Sequence, residues 1–166
     1  FKQKTAYEIY QCDWSSDVCS SDLVTEAKIG IVGLCGGGSH IAQQLAHIGF
    51  GTLVLADFDH VENSNLNRMI GSRPEDAQTT ALKTAVIERM IKLIKPDISV
   101  VPISNKWQEN ELSLRDCTAI FGCVDSFVAR DELERFCRRY LIPYIDIGMD
   151  VHGGSNGFAI SGQVIL

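Results

Sequence analysis

Residues 28–39, KIGIVGLCGGGS, decide the fold. The stretch begins with a short apolar run, Lys28–Leu34, which is typical of a buried strand and is ended by a cluster of glycines. Ser39 can cap a helix, because the residues after it place apolar side chains at helical spacing until Gly49 and Gly51 stop the pattern. The stretch therefore predicts a strand, a tight glycine turn and a helix.

The alternation of strand and helix continues along the chain. We predict strands at Thr52–Ala56, Ile98–Ile103, Ala119–Val124 and Tyr144–Ile147, and helices at Ala77–Lys95 and about Ser126–Tyr140. Strands joined by helical crossovers form a parallel sheet with helices on both faces. After Gly148, short apolar stretches among glycines favour antiparallel hairpin strands. The predicted fold class is therefore α/β, a Rossmann-like doubly wound, mostly parallel sheet with antiparallel strands at the C-terminal end, and because Leu166 lies inside such a strand we expect a truncated domain.

Residues 1–23 differ in character from the rest of the chain. They follow neither a helical nor a strand period, and the tripeptide Ser-Ser-Asp occurs at residues 15–17 and again at 20–22. We expect residues 1–23 to be a non-native or disordered segment, since residues 15–23 also resemble a translated sequencing adapter. The alternative is a genuine amphipathic arm around Tyr7–Trp14. Residues 24–166 are then expected to form the folded domain.

Composition and charge argue against several classes of protein. With 166 residues, of which 45% are hydrophobic and 22% charged, the chain has the size of one domain with a core. A net charge of −6, with no basic run longer than Arg138–Arg139, argues against a nucleic-acid partner. No apolar run approaches the roughly 20 residues that span a bilayer, so we expect no membrane segment and a cytoplasmic protein. Six cysteines without a CxxC pair support neither a zinc site nor a disulfide framework.

The glycine turn has the features of a phosphate-binding loop. Gly33, Gly36 and Gly38 lie between the first strand and the first helix, where backbone N–H groups can approach phosphate oxygens and the helix N-terminus adds partial positive charge. Asp57 ends the second strand, 24 residues after Gly33, and can accept hydrogen bonds from ribose hydroxyls. These features predict a nucleotide site, with a turn used only for tight packing as the alternative. Cys35 breaks the strict GxGxxG register, which weakens the interpretation as a dinucleotide site.

Residues 57–68, DFDHVENSNLNR, are more specific than the glycine loop. Here the sequence resembles the ThiF/MoeB/HesA family and the adenylation domains of ubiquitin-activating enzymes. That family shows a glycine loop, D-x-D, S-N-L-N/Q-R, a lysine on the next helix and C-x-D-x-x-x-x-R after a later strand. This chain has each motif in order: Gly33 to Gly38, Asp57 and Asp59, Ser64 to Arg68, Lys83, and Cys123-Val124-Asp125 followed by Arg130. The resemblance covers residues 27–166, so it implies that residues 24–166 are a nucleotide-binding adenylation domain.

The resemblance implies a role for each of these side chains. Asp57 is expected to bind ribose, and Asp59 to belong to the nucleotide site or to its loop. The expected phosphate contacts come from Asn65, Arg68 and Lys83, and the expected Mg²⁺ ligand is Asp125. The expected catalytic residues are Arg68, Lys83 and Asp125, while Arg130 is expected to anchor the loop that holds Asp125. These residue types suit the chemistry, because arginine makes forked phosphate contacts, lysine supplies a point charge and a carboxylate is a hard oxygen ligand for Mg²⁺.

The implied activity is ATP- and Mg²⁺-dependent adenylation of the C-terminal carboxylate of a ubiquitin-like or sulfur-carrier protein that ends in glycine, with release of pyrophosphate. Family members usually pair, so a homodimer is expected. One alternative is a non-catalytic scaffold subunit of the same family, since Cys35 replaces a glycine that is usual in the loop and could crowd the phosphate or shift the backbone. The other is an NAD(P)-dependent oxidoreductase, which would explain the glycine loop and Asp57 but not Arg68, Lys83 or Asp125.

Overall fold

The computed structural model describes residues 18–154 and 157–165. The helices in these ranges are α1 (Val18–Glu26), α2 (Gly36–Ile48), α3 (Pro74–Gln78), α4 (Lys83–Ile94), α5 (Glu111–Arg115) and α6 (Phe127–Tyr140). The strands are β1 (Lys28–Val32), β2 (Thr52–Ala56), β3 (Ser99–Ile103), β4 (Ala119–Gly122), β5 (Tyr144–Gly154) and β6 (Gly157–Ile165). Short 3-10 turns lie at Asn63–Asn65 and Trp107–Asn110.

The strands form one sheet in the order β3-β2-β1-β4-β5-β6. The neighbouring strands from β3 to β5 are parallel, and β6 runs antiparallel to β5. The chain first moves outward from β1 to β3 and then returns past β1 to β4, so the direction of winding reverses beside β1. The predicted doubly wound, mostly parallel α/β sheet with an antiparallel C-terminal end is confirmed.

Apolar side chains fill both faces of the sheet. On one face Ile31 and Leu53 belong to a cluster that includes the buried side of α2 and α4. On the other face Val54 and Ile120 pack in a second cluster with Trp107 and the buried side of α6. Strands that are covered on both faces need continuous apolar sequences rather than alternating ones, which explains the run TLVLA in β2.

Ser39 does not cap the first helix as predicted. Helix α2 begins earlier, at Gly36, and Cys35 is its N-cap residue. The hydroxyl of the buried Ser39 donates to the carbonyl oxygen of Gly36 at 3.0 Å and accepts the N–H of Ile70 at 3.1 Å. The tight turn at Gly33 directs the chain into the helix sooner than the apolar spacing suggests, and the serine instead ties the helix to a distant loop.

The helix predicted at Ala77–Lys95 is divided into two, α3 and α4. The residues between them pair with the loop after β2: Val61 donates its N–H to the carbonyl oxygen of Ala81 at 2.8 Å, and His60 and Leu82 form an isolated antiparallel bridge. Thr80 has a positive φ of 48°, which a continuous helix does not allow. Tertiary hydrogen bonds therefore override the helical spacing here and place Lys83 at the start of α4.

The N-terminal segment departs in part from expectation. Residues 18–23, predicted to lack a fold element, lie in α1, while residues 1–17, including the possible arm around Tyr7–Trp14, lie outside the described residues. The end of α1 contacts the loop before β2, where Gly51 donates its N–H to the carbonyl oxygen of Val24 at 3.3 Å. A Cβ at Gly51 would lie 1.6 Å from the carbonyl oxygen of Thr25, so the chain needs glycine at this contact.

A salt bridge with one buried partner holds α3 against α4. Both terminal nitrogens of Arg89 donate to the carboxylate of Asp76 at 2.7 Å, and the N–H of Arg73 donates to it at 2.8 Å. The hydrogen bonds from Arg89 hold the pKa of Asp76 below its usual value. A carboxyl group with a lowered folded pKa stabilises the fold above its unfolded pKa of about 3.9, and that stabilisation is lost as pH falls through the folded value.

We therefore expect Asp76→Asn to lower the free energy of unfolding by about 1–2 kcal/mol at neutral pH. The value is modest because the side chain of Arg89 is 35% exposed. In urea unfolding at a series of pH values, the difference between variant and wild type should shrink below about pH 4. The control is Asp131→Asn, which removes an exposed pair with Arg135 on α6 and should change stability by less than about 0.5 kcal/mol. A difference for Asp76→Asn that stays constant into acid would contradict this account.

Candidate functional site

The segments that carry the predicted site residues meet at the carboxyl edge of the sheet. Strands β2, β1 and β4 are parallel neighbours, so the glycine loop (residues 33–38), the segment 57–68 and residues 123–126 all leave the sheet at this edge. Backbone hydrogen bonds join them to the strands: Gly33 donates to Ala56 at 2.9 Å, and Cys123 donates to Val32 at 2.8 Å. The sheet therefore assembles one site from three separate parts of the sequence.

At two of the three predicted loop glycines, a side chain would clash with the backbone. Gly33 has a φ of 89°, and a Cβ there would lie 2.6 Å from the carbonyl oxygen of Cys123. A Cβ at Gly38 would lie 1.8 Å from the carbonyl oxygen of Gly33. At Gly36 the Cβ would make only an ordinary contact, 3.8 Å from Cδ of Arg68. The loop is thus tight on the side of β4 and has free space at the start of α2.

Cys35 is the N-cap residue of α2 at the end of the tight turn of the glycine loop. Its φ is −79° and its ψ is −126°. The thiol is free and half-buried, and it interacts electrostatically with Lys83. The effect of the Cys35 side chain on the loop and on a bound phosphate stays a prediction.

Asp57 joins the glycine loop to the segment after β2. Its Oδ2 accepts the N–H of Leu34 at 2.7 Å, and its Oδ1 accepts the N–H of Asp59 at 2.9 Å. Burial raises the pKa of this carboxyl, although the two N–H donors and the ammonium of Lys83 act in the opposite direction. Because a carboxylate has about four acceptor positions, Asp57 can still accept hydrogen bonds from a ligand.

Lys83 is a buried cation beside two carboxylates. It is only 6% exposed, and its Nζ lies 2.7 Å from Oδ2 of Asp59 and 3.9 Å from Oδ2 of Asp57. Burial by itself lowers the pKa of Lys83, but the hydrogen bond to Asp59 and the charges of both aspartates raise it overall. The backbone N–H of Lys83 also donates to the carbonyl oxygen of Asp59 at 3.1 Å. The ammonium group therefore stays protonated and is held at the edge next to the glycine loop.

Asn65 and Arg68 lie in and just after the 3-10 turn that follows β2. The side-chain oxygen of the buried Asn65 accepts the N–H of Glu62 at 3.0 Å, so this residue stabilises the turn. Arg68 is exposed, and its guanidinium donates to the carbonyl oxygen of Ser64 and, at 3.4 Å, to Oδ1 of Asn67. Its Cδ lies next to Gly36, so the arginine extends over the start of α2.

Asp125 lies between β4 and α6 with an exposed side chain. The expectation that Arg130 anchors the loop holding Asp125 stays a prediction. Its guanidinium donates to Oδ2 of Asp146 at 2.6 Å and to the carbonyl oxygen of Ile147 at 3.4 Å, both on β5. The reason is that Arg130 lies in the first turn of α6, which packs beside β5, so its side chain reaches that strand.

Tyr144 and Asp146 also belong to this region, although the sequence motifs did not predict them. The hydroxyl of Tyr144 donates to Oδ1 of Asp146 at 3.1 Å, beside the bond from Arg130. The available signal was two polar residues at alternate positions of a strand, which places both on the same face of the sheet. The glycine loop, Asp57, Asp59 and Lys83 are joined by direct contacts, and Arg68 contacts the loop at Gly36.

The described side chains do not by themselves form a metal-binding site. Among the residues whose side chains the structure describes (22–148, 162, 164 and 165), no three His, Cys, Asp or Glu side chains are grouped so that they could hold a metal ion. Mg²⁺ is usually bound through one or two carboxylates together with substrate phosphates, so a lone carboxylate such as Asp125 suits a nucleotide-borne ion. In the same part of the chain, no helix is long and apolar enough to cross a membrane.

Three cysteines near the site and the core have thiols that are unsuited to nucleophilic catalysis. Burial raises the pKa of Cys117 to about 11 and those of Cys123 and Cys137 to about 12. The thiolate is the reactive form of cysteine, and at a pKa of about 12 its fraction near pH 8 is roughly one in ten thousand. Cys117 and Cys137 are buried and Cys123 is half-buried, so these cysteines pack in or beside the core.

We expect iodoacetamide at about pH 8 to alkylate Cys123 and Cys137 in the native protein at least roughly 100-fold more slowly than in urea. Mass spectrometry of the digested protein gives the rate at each cysteine, and the unfolded protein supplies the reference rate for the same peptide. Equal native and unfolded rates at Cys123 would show an accessible, ionised thiol beside Asp125 and would reopen the question of a covalent role.

The fold and this edge define a class of protein. A parallel sheet whose winding reverses beside β1, with a glycine loop and helix N-terminus there and an acid after β2, is the arrangement of nucleotide-binding α/β domains. Within that class, the model of the ThiF family matches residues 18–164, and the chain belongs to the ThiF family. The match covers almost the whole chain and includes residues 18–23 of α1.

Known relatives carry adenylyltransferase names. The chain is 32% identical over 133 residues to molybdopterin-synthase adenylyltransferase of Haemophilus influenzae, covering 79% of this chain and 54% of that protein. It is also 32% identical over 133 residues to the sulfur carrier protein ThiS adenylyltransferase of Escherichia coli, with coverage of 78% and 51%. The structure of E. coli MccB with ATP superposes with a TM-score of 0.68 at 28% identity, over 84% of this chain and 42% of that one. The chain thus spans about half the length of the curated relatives it matches.

Proposed function

We propose that this chain is the ATP-binding core of an enzyme that adenylates the C-terminal carboxylate of a ubiquitin-like or sulfur-carrier protein and releases pyrophosphate. The observation that carries the proposal is Lys83, a buried ammonium group held between Asp57 and Asp59 next to a glycine loop and a helix N-terminus. A buried cation near a helix N-terminus suits a polyanionic ligand. The adenylyltransferase names of the relatives support the same type of reaction.

The reaction is a nucleophilic substitution at the α-phosphorus of ATP. It needs no covalent intermediate with the protein. A carboxylate oxygen of the carrier attacks the α-phosphorus of ATP, and the bond from that phosphorus to the oxygen bridging to the β-phosphate breaks. The electron pair of that bond leaves with pyrophosphate, and the carrier becomes an acyl-adenylate. The task of the protein is therefore to align the two anions and to balance charge on the phosphates.

The residues of the edge can divide this task among them. The N-terminus of α2 at Gly36 and Gly38 offers N–H donors to the phosphates, Gly33 forms the tight turn that leads into it, and Lys83 adds a fixed positive charge. Arg68 lies over the same helix start, where its guanidinium can exchange the carbonyl oxygen of Ser64 for phosphate oxygens. Asp57 and Asp59 shape the side of the site that would receive the ribose, with Asp57 as the acceptor for its hydroxyls, and the side-chain amide of Asn65 would add a further phosphate contact.

The side chains present also suit ATP with Mg²⁺. A Cβ at Gly36 would have only Arg68 within contact distance, so the space for a phosphate group at the start of α2 is not filled by protein. Asp125 is an exposed carboxylate at the same edge and supplies a hard oxygen ligand. When bound, Mg²⁺ would neutralise charge on the departing pyrophosphate.

The partners and location follow from this reaction. We propose a carrier protein whose C-terminal residue is glycine. Because glycine has no side chain, such a C-terminus is flexible and can enter a narrow site between loops. We also propose that two copies of the chain pair and that the protein acts in the cytoplasm, where ATP is available and free thiols such as Cys35 and Cys117 persist.

The direct test is exchange of labelled pyrophosphate into ATP. We expect the chain to catalyse exchange when a small carrier protein ending in Gly-Gly is present and to lose it when the last glycine of that carrier is removed. The truncated carrier is the matched control, because it keeps the folded surface and lacks the reacting carboxylate position. Exchange that is indifferent to the carrier, or absent although Mg²⁺-ATP binds, would contradict carboxylate adenylation and favour a scaffold subunit.

A further inference from the structure

We propose that Asp146, together with Tyr144, is a positioning residue that fixes Asp125 through Arg130. The proposal rests on the proposed function, because a fixed position of the Asp125 carboxylate matters only if Asp125 binds the Mg²⁺ of Mg²⁺-ATP. Asp146 and Tyr144 lie on β5, and neither is among the motif residues that the resemblance assigned.

The three side chains form a polar network with Asp146 at its centre. Arg130 Nη1 donates to Oδ2 of Asp146 at 2.6 Å, and the hydroxyl of Tyr144 donates to the other carboxylate oxygen at 3.1 Å. The side chains of Arg130 and Asp146 are 20% and 14% exposed, so the pair is mostly shielded from water. Charge-assisted hydrogen bonds in such surroundings are stronger and more rigid than those on a surface.

The sheet makes room for this network at two glycines. A Cβ at Gly122, the last residue of β4, would lie 2.2 Å from the hydroxyl of Tyr144. A Cβ at Gly148 on β5 would lie 2.6 Å from Nη1 of Arg130. Neighbouring strands therefore lack side chains at the two places that the tyrosine and the arginine occupy. An incidental surface pair would need no such space.

The network connects directly to the segment that carries Asp125. Arg130 lies in the first turn of α6 and its N–H donates to the carbonyl oxygen of Ser126, the N-cap residue, at 3.0 Å. At the other end of the segment, Cys123 donates to Val32 at 2.8 Å. Asp125 lies between these two anchors, so the location of the first turn of α6 determines where its carboxylate points. The bond between Arg130 and Asp146 sets that location relative to β5.

The glycine loop contacts the same region. A Cβ at Gly37 would lie 3.8 Å from Cys123 and 3.9 Å from Cγ2 of Ile147, so the loop lies close to both the start of the Asp125 segment and β5. A shift of α6 away from β5 would therefore change the distance between Asp125 and the phosphate-binding loop. Such a shift would alter metal-dependent steps more than the binding of the nucleotide itself.

The first test measures backbone hydrogen exchange in the unliganded 166-residue chain. The reporters are the hydrogen-bonded amides of Cys123 and Arg130. We expect Asp146→Asn to accelerate their exchange about 10-fold and the milder Tyr144→Phe about 3-fold, with no change in α4. The matched control is Asp131→Asn, which removes an exposed aspartate–arginine pair from the same helix. Unchanged exchange at both amides in Tyr144→Phe, which deletes only one hydroxyl, would overturn the proposal even if Asp146→Asn fails to fold.

The second test separates this proposal from the proposed function. In pyrophosphate exchange with carrier, both variants should need about 10-fold more Mg²⁺ for half-maximal rate, while the KM for ATP changes less than about 2-fold. If Asp125→Ala abolishes exchange but the variants keep the wild-type Mg²⁺ requirement, the positioning role is wrong and the proposed function stands. If Asp125→Ala has no effect on exchange, the proposed role of Asp125 toward Mg²⁺-ATP is wrong. The hydrogen-exchange rates of Cys123 and Arg130 then decide whether the network fixes the segment that carries Asp125.

Discussion

Arg68→Ala and Asp125→Ala are each expected to lower pyrophosphate exchange about 100-fold, a loss of about 2.7 kcal/mol of transition-state stabilisation. Negative charge shifts onto the pyrophosphate as its bond to the α-phosphorus breaks, so groups that balance this charge act mainly in the transition state. Arg68 extends over the start of α2, and Asp125 is the exposed carboxylate of the neighbouring segment. Both side chains are exposed, so their removal should leave the melting temperature within a few degrees of wild type.

The control for the arginine is Arg135→Ala. Arg135 is also an exposed arginine, but it lies on α6 in an ion pair with Asp131, and its removal should leave exchange unchanged. Exchange is measured with labelled pyrophosphate at saturating carrier, with melting temperatures recorded for the same samples. If either site variant keeps nearly full exchange, the assignment of that residue is wrong.

Gly38→Ala is expected to disrupt the glycine loop itself. A Cβ at Gly38 would lie 1.8 Å from the carbonyl oxygen of Gly33, so the backbone of the loop or the first turn of α2 must move. Gly33 cannot relieve the clash easily, because it has a positive φ and contacts Cys123. We expect a loss of stability of at least about 3 kcal/mol and ATP binding weakened by more than about 10-fold. Thermal unfolding and titration calorimetry measure the two effects.

Gly36→Ala is the matched control for stability. It introduces the same methyl group two residues earlier in the same loop, where the nearest atom, Cδ of Arg68, lies 3.8 Å away. Alanine is favoured over glycine in a helix by roughly 0.5–1 kcal/mol, so this variant should melt at or slightly above the wild-type temperature. Equal stability of Gly36→Ala and Gly38→Ala would show that the loop does not have the tight turn described here.

The sequence predicted the sheet because its strands are chemically simple. Runs such as those of β1 and β2 are apolar on both faces, and only a strand covered by helices on each side satisfies that pattern. The glycines at 33 and 38 were also predictable, since they mark a turn that a side chain would block. Asp57 and Lys83 are 26 positions apart in the motif order, and the structure places Nζ of Lys83 3.9 Å from Oδ2 of Asp57.

The errors arose where tertiary hydrogen bonds override local spacing. The segment around Ala81 continues the helical spacing, yet it bonds to the loop after β2, and this break places Lys83 next to Asp59. Ser39 has the chemistry of a helix cap, but its hydroxyl bonds Gly36 and Ile70. The partner of Arg130 was not predictable from spacing, because Asp146 is 16 residues away and becomes a neighbour only when β5 joins the sheet.

The central claim is that this edge of the sheet is an ATP-adenylating site, and titration calorimetry tests it most directly. Mg²⁺-ATP and NAD⁺ are titrated separately into the wild-type chain and into Arg68→Ala. The account predicts that Mg²⁺-ATP binds to the wild type, that Arg68→Ala weakens this binding by at least about 10-fold, and that NAD⁺ gives no binding heat. Binding of NAD⁺ with no response to Mg²⁺-ATP would contradict it.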